Sequence, residues 1–178
     1  IGKVLPQEES FLDGIRVIFK KHIMNEALDF CSQLKELGYK VFVQAVSITS
    51  YNDEEFTLLL NRVNEVDPYA FSIVDTYGLL HKNQLIHYFE MADAKLNESI
   101  SLGYHSHNNF QLGYANCMEL TEKKIARNLI LDGSLYGMGK GAGNTPIELL
   151  AMYMREHFGS SYRLSQLLEA IDVTIMDC

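Results

Sequence analysis

Cysteine is scarce: three residues, Cys31, Cys117 and Cys178, lie far apart in a chain of 178. With no Cys-x-x-Cys among them, a disulfide framework or thiolate zinc site is disfavoured, and a reducing, cytoplasmic setting fits best. No apolar run approaches the roughly 18 residues of a membrane span, and Ile1-Gly2-Lys3 resembles no signal peptide. The sequence lacks an initiator methionine, so Ile1 is not expected to be the native start. It also lacks a basic stripe: the net charge is −8 and the acidic residues are scattered. That argues against nucleic acid as a partner. No low-complexity linker and no repeat beyond a strand–helix alternation is evident. The 47% apolar content is enough for one domain with a sizeable core.

Short apolar runs alternate with longer amphipathic ones. Ile15–Phe19 reads as a strand, followed by a helix with Ile23, Ala27, Cys31, Leu34 and Leu37 on one side and Gly38 at its C′ position. Val41–Val46 is a second strand. Asn52 and Glu55 have capping-box spacing for a helix carrying Phe56, Leu59, Leu60 and Val63. Asp67-Pro68 breaks that helix before a third strand, Tyr69–Val74, ending at Asp75. A helix over Asn83–Leu96, a fourth strand Ile100–His107, and a helical stretch Phe110–Ala126 follow. Leu129–Leu131 opens a fifth strand that ends near Ser134. Thr145-Pro146-Ile147-Glu148 has the pattern N-cap, N1 and capping-box acid for a helix closed by Gly159, and a short helix over Leu164–Ile171 ends the series. The strand-to-strand period of about 25 to 30 residues suits parallel βα units. Both a doubly wound sheet and a (β/α)8 barrel have this period, but a whole barrel needs roughly 200 residues or more.

In parallel βα proteins the chemistry gathers at the carboxyl ends of the strands. Each predicted strand here ends in a polar cluster: Lys20-Lys21-His22, Gln44 to Ser47, Asp75-Thr76-Tyr77-Gly78, His105-Ser106-His107-Asn108, and the stretch from Gly137 to Asn144. Alternate residues of a strand share a face, so His105 and His107 project together as two imidazoles suited to a divalent metal. The plain alternative is a pair of surface histidines beside a turn. Asp75 has a plain reading too, as the cap of its own turn. Gly137, Gly139, Gly141 and Gly143 fit either a flexible loop or a backbone closely approaching a ligand. Lys140 is followed by glycine, so this is no phosphate-binding P-loop. His22 reads as a loop residue, His81, His87 and His157 as surface, Cys117 as a packed thiol, and Met118, Met152 and Met154 as core filler.

Three of these clusters carry a family resemblance. The run from Gly103 to Asn116, with His105-Ser106-His107-Asn108 at its centre, resembles the strand-seven signature of the DRE-TIM metallolyases. Asp132-Gly133-Ser134-Leu135-Tyr136-Gly137-Met138-Gly139-Lys140-Gly141-Ala142-Gly143-Asn144 resembles the strand-eight and glycine-loop signature, and Asp75-Thr76-Tyr77-Gly78 the element after strand six. The resemblance covers residues 15–158 and is nearest the 4-hydroxy-2-oxovalerate aldolase group. It implies that residues 1–178 are the C-terminal part of one (β/α)8 barrel, supplying strands four to eight, with strands one to three lying before Ile15.

By the same resemblance, His105, His107 and Asn144 are metal contacts, with Mn or Mg as the expected ion and Zn as the alternative. Asp75, Thr76, Asn108, Gly139 and Gly141 are the implied substrate-binding positions. A further aspartate ligand and the catalytic arginine belong to a strand-one motif not found here, so the 178 residues alone are expected to be inactive. His22 and Tyr77 are candidates for the general base, without a choice between them. Tyr136 stands where hydroxymethylglutaryl-CoA lyases carry a reactive cysteine, and the second strand ends in Gln44-Ala45-Val46-Ser47 without the acidic pair of the acetyl-CoA-condensing synthases. The expected activity is therefore a metal-dependent aldolase acting on a small 2-oxo acid. A Claisen-type acyltransferase or a non-catalytic degenerate barrel is the alternative. An amidohydrolase fits poorly, because its His-x-His belongs on the first barrel strand. A homo-oligomer and an aldehyde dehydrogenase partner are compatible with the sequence.

Overall fold

The computed structural model describes residues 4–176; Ile1–Lys3 and Cys178, discussed above, lie outside the described residues. Five strands, β1 (Gly14–Phe19), β2 (Lys40–Ala45), β3 (Ala70–Asp75), β4 (Ser101–Ser106) and β5 (Leu129–Leu131), alternate with helices α1 (Met24–Glu36), α2 (Asp53–Val66), α3 (Lys82–Lys95) and α4 (Gly113–Thr121). Two more helices, α5 (Ile147–Phe158) and α6 (Leu164–Thr174), follow β5. All neighbouring strands are parallel and stand in the order β1-β2-β3-β4-β5. A doubly wound sheet reverses its strand order at a switch point; this one advances steadily, as the wall of a barrel does.

Register divides each strand into two faces. Val17, Val43, Ile73, Tyr104 and Leu131 turn towards the helices, where they meet Leu28, Cys31 and Leu34 of α1 and Phe56, Leu59, Leu60 and Val63 of α2 in one continuous core. The spacing of those helical residues, three or four apart, is what lays them on one stripe. The opposite face carries Arg16, Gln44, Ser72, Gly103 and His105, mostly small or polar side chains. Its packing is tight enough that a Cβ on Gly103 would lie 2.3 Å from Ser72 Oγ. None of the described helices is long and apolar enough to cross a membrane.

Several local expectations hold. The Asn52–Glu55 capping box forms in both directions, and Gly38 and Gly159 follow their helices with positive φ. Two do not. Thr145 is no N-cap: its hydroxyl is fully buried, 2.7 Å from Ser106 Oγ, and Pro146 takes the cap position with no side-chain hydrogen bond. Glu148 instead accepts from the Tyr136 amide, 3.1 Å away. The helix expected from Phe110 starts only at Gly113, because Gln111 is left-handed (φ 59°) and Asn108 Oδ1 accepts from the Gly113 amide at 3.1 Å.

Candidate active site

A parallel sheet puts all its strand ends on one rim, and loop-to-loop hydrogen bonds join that rim into a unit. The Ser47 amide donates to Thr76 Oγ1 (2.7 Å), tying the β2 end to the β3 loop. The His107 amide donates to the Asp75 carbonyl and the Phe110 amide to the Gly78 carbonyl, both at 3.1 Å. On the far side the Asn108 amide donates to the Gly143 carbonyl (2.9 Å), and His107 forms an antiparallel bridge with Asn144. The histidine segment is thus held between the β3 loop and the glycine loop.

Within that clamp β4 ends at Ser106, one residue earlier than its sequence suggested, yet the two imidazoles still meet, with ring centroids 5.6 Å apart. Each ring spends its Nδ1 on an acceptor: His105 on Asp132 Oδ2 at 3.2 Å, His107 on the Lys140 carbonyl at 3.0 Å. A neutral imidazole donating from Nδ1 keeps its lone pair on Nε2, the arrangement of a metal-ligating histidine with an outer partner. Asn144 adds an oxygen. Its Nδ2 donates to the Met138 carbonyl (2.9 Å), while its Oδ1 is buried with no hydrogen-bond partner. Buried acceptors are rarely left so, and this one fits a cation. A Cβ on Gly139 would come within 2.6 Å of Asn144 Nδ2, so glycine there leaves the amide its place. Among the described residues no third histidine, cysteine, aspartate or glutamate completes a cluster with the pair. Two imidazole nitrogens and one amide oxygen suit a borderline or hard divalent ion bound with further oxygen ligands.

Asp132 is a largely buried carboxylate that stays charged. Burial works against its charge, but hydrogen bonds from His105 and Arg16, with the Arg16 charge, outweigh burial and hold the carboxyl down at about 2. Asp75 goes the other way: burial pushes its carboxyl up, against the pull of the Leu80, Leu79 and Gly78 amides.

The remaining sequence candidates occupy varied places. Asp75 is buried, and its two oxygens accept from Leu79 and Leu80, each at 3.0 Å, so it organises its own loop. Thr76 and Asn108 likewise use their side-chain oxygens on backbone amides. Gly139 lies beside Asn144; Gly141, with φ +69°, has open space around it. His22 and Tyr77 line one polar cleft of about 440 Å³ on the rim, together with Lys20, Lys21, Ser47 and Thr49. Arg16 was not singled out by its sequence. Its one signal was a charge inside an apolar strand.

A family model described as HMGL-like matches residues 16–174. The oxaloacetate decarboxylase of Mycobacterium tuberculosis is 28% identical over 152 residues, covering 84% of this chain and 44% of that protein. A 4-hydroxy-2-oxovalerate aldolase of Marinomonas sp. is 38% identical over 86 residues, 46% of this chain and 24% of that protein. The chain therefore spans less than half the length of these curated relatives. Among solved structures, the N-terminal domain of a candidate aldolase from Bacteroides vulgatus superposes with a TM-score of 0.81 at 20% identity, covering 99% of this chain and 61% of that one. The hydroxymethylglutaryl-CoA lyase of Pseudomonas aeruginosa gives 0.75 at 16% identity, with coverages of 93% and 63%. At such identities these structures speak for the fold: five βα units of a (β/α)8 barrel.

Proposed function

The chain belongs to the HMGL-like family of the DRE-TIM superfamily, and on that premise we propose that it carries the histidine side of the divalent-metal centre of a carbon–carbon lyase. The reaction proposed is the aldolase type, releasing pyruvate from a 4-hydroxy-2-oxo acid. The observation that supports it best is the trio of unspent donors: Nε2 of His105, Nε2 of His107 and the partnerless Oδ1 of Asn144. Mn or Mg is the proposed ion, with Zn as the competitor to be separated by metal content. When bound, such an ion supplies Lewis-acid polarisation of the carboxylate and keto oxygens of a 2-oxo acid.

The chain's own residues do the rest of the work assigned to it. Asp132 and the Lys140 carbonyl orient the two imidazoles. Asp75, Thr76 and Asn108 contribute to substrate binding by holding the loops around it, and Gly139 and Gly141 by letting the backbone come close. His22 and Tyr77 share the rim cleft; a group there that removes the proton of the 4-hydroxyl would act as general base. The substrate is a small molecule, and a cytoplasmic location and a dehydrogenase partner for the aldehyde product belong to the proposal as well.

The mycobacterial relative favours a second reading. Decarboxylation of oxaloacetate breaks a different carbon–carbon bond but leaves the same pyruvate enolate. The test is pyruvate release by the full-length gene product, coupled to lactate dehydrogenase, with 4-hydroxy-2-oxovalerate and oxaloacetate offered separately. Activity with the first substrate, lost on chelation and in His105→Ala/His107→Ala, is expected. Undiminished activity in the metal-free enzyme or in that variant refutes both readings, and activity with oxaloacetate alone selects the second.

A further inference from the structure

Three strands converge on one carboxylate. Arg16, on edge strand β1, reaches over the interior face of the sheet to Asp132, just past β5 at the opposite edge. Its two terminal nitrogens grip the two carboxylate oxygens, Nη1 to Oδ2 at 2.5 Å and Nη2 to Oδ1 at 2.9 Å. Gln44 of β2 adds Nε2 to Oδ2 at 3.3 Å, and His105 of β4 places Nδ1 3.2 Å from that same oxygen. The Asp132 side chain is 11% exposed, and the Arg16 guanidinium also lies 5.5 Å from the centre of the Phe42 ring.

We propose that Arg16 is a positioning residue for the metal centre: it locks the Asp132 carboxylate, which in turn fixes the His105 ring with its proton on Nδ1 and its lone pair on Nε2. This rests on the reading of His105 as a ligand. An ionised carboxylate only accepts hydrogen bonds, so it selects the tautomer that donates from Nδ1. Free histidine prefers the other tautomer, with the proton on Nε2. A carboxylate can turn about its own bond, however, and one that turns no longer fixes a ring. The guanidinium fork prevents this, because two parallel hydrogen bonds define the carboxylate plane, which a lysine ammonium cannot do. Gln44 supports the oxygen facing His105. The expense of an arginine on an otherwise apolar strand is then explained by a histidine three strands away.

The test uses the metal-free full-length gene product, labelled with ¹⁵N, at mildly alkaline pH, with long-range ¹H–¹⁵N correlation of the imidazoles. The His105 signals are identified by their loss in His105→Gln. The wild-type ring is expected as the Nδ1–H tautomer. Asp132→Ala and Asp132→Asn should move it towards Nε2–H, and Arg16→Gln part of the way, with far-UV circular dichroism unchanged. Arg16→Lys should fail to restore the wild-type signature. In the full-length gene product, Mn²⁺ affinity should fall about 10- to 100-fold in Asp132→Ala. An Nε2–H ring in the wild type, or a wild-type signature in a folded Arg16→Gln chain, overturns the proposal and leaves Arg16–Asp132 as a strut only. If the ring shifts as expected but the wild-type full-length product binds no Mn²⁺, the positioning stands and the metal reading fails.

Discussion

Gly78 sits where the β3 loop presses on the histidine segment, and replacing it with alanine tests whether that contact holds the site together. A Cβ there would lie 2.4 Å from the His107 carbonyl oxygen and 2.5 Å from the Asn109 amide nitrogen. Both neighbours are backbone, so no side chain can rotate away to relieve the clash. Gly78 also has φ +63°, a conformation that costs an L-residue about 1–2 kcal/mol. Overpacking against unyielding atoms adds about 1–3 kcal/mol. The expected loss for Gly78→Ala is therefore about 2–5 kcal/mol, or roughly 4–20 °C in Tm for a chain of this size. Gly141→Ala is the control: its φ is +69°, but nothing lies within 4 Å of the added Cβ, so only the conformational cost of about 1–2 kcal/mol applies. Urea unfolding followed by circular dichroism would measure both. Equal losses in the two variants would refute the claim that the β3 loop braces His107.

Three further outcomes follow from single contacts. Gly139→Ala should displace the Asn144 amide and remove its bond to Met138, costing about 1 kcal/mol in thermal unfolding; a variant as stable as wild type would show that the amide has no fixed place. Burial pushes the thiols of Cys31 and Cys117 up to about 12, so at pH 8 both are held as the unreactive thiol. Site-resolved mass spectrometry should find both unmodified by iodoacetamide in the folded chain and alkylated in urea; equal rates in the two conditions would contradict the packing. Asn52→Ala removes a complete capping box and should cost about 1 kcal/mol in urea unfolding, whereas no change would mean that water replaces the cap.

What could be read from the sequence was local or carried by long motifs. Asn52 and Glu55 announce their cap because both partners lie within one turn, and the strands announce themselves as short apolar runs between polar turns. The His105–His107 pair stood out for the same reason, since its spacing alone puts two rings together. Thr145 misled because its sequence context is that of an N-cap, while the fold buries its hydroxyl against Ser106, thirty-nine positions earlier. Arg16 was overlooked for a similar reason. Its partner Asp132 lies 116 positions away, and no local pattern links a lone arginine on β1 to a carboxylate beyond β5. Asp75, Thr76 and Asn108 were visible as polar strand-end residues, but only the fold shows their oxygens committed to backbone amides.

The central claim is that His105, His107 and Asn144 present unspent donors to one divalent ion. Its most direct test is titration of the full-length gene product with Mn²⁺, following the paramagnetic resonance signal of the free ion. One site per chain is predicted, abolished in His105→Ala/His107→Ala and weakened in Asn144→Ala. Absence of saturable binding, or binding unchanged by the double substitution, would contradict it.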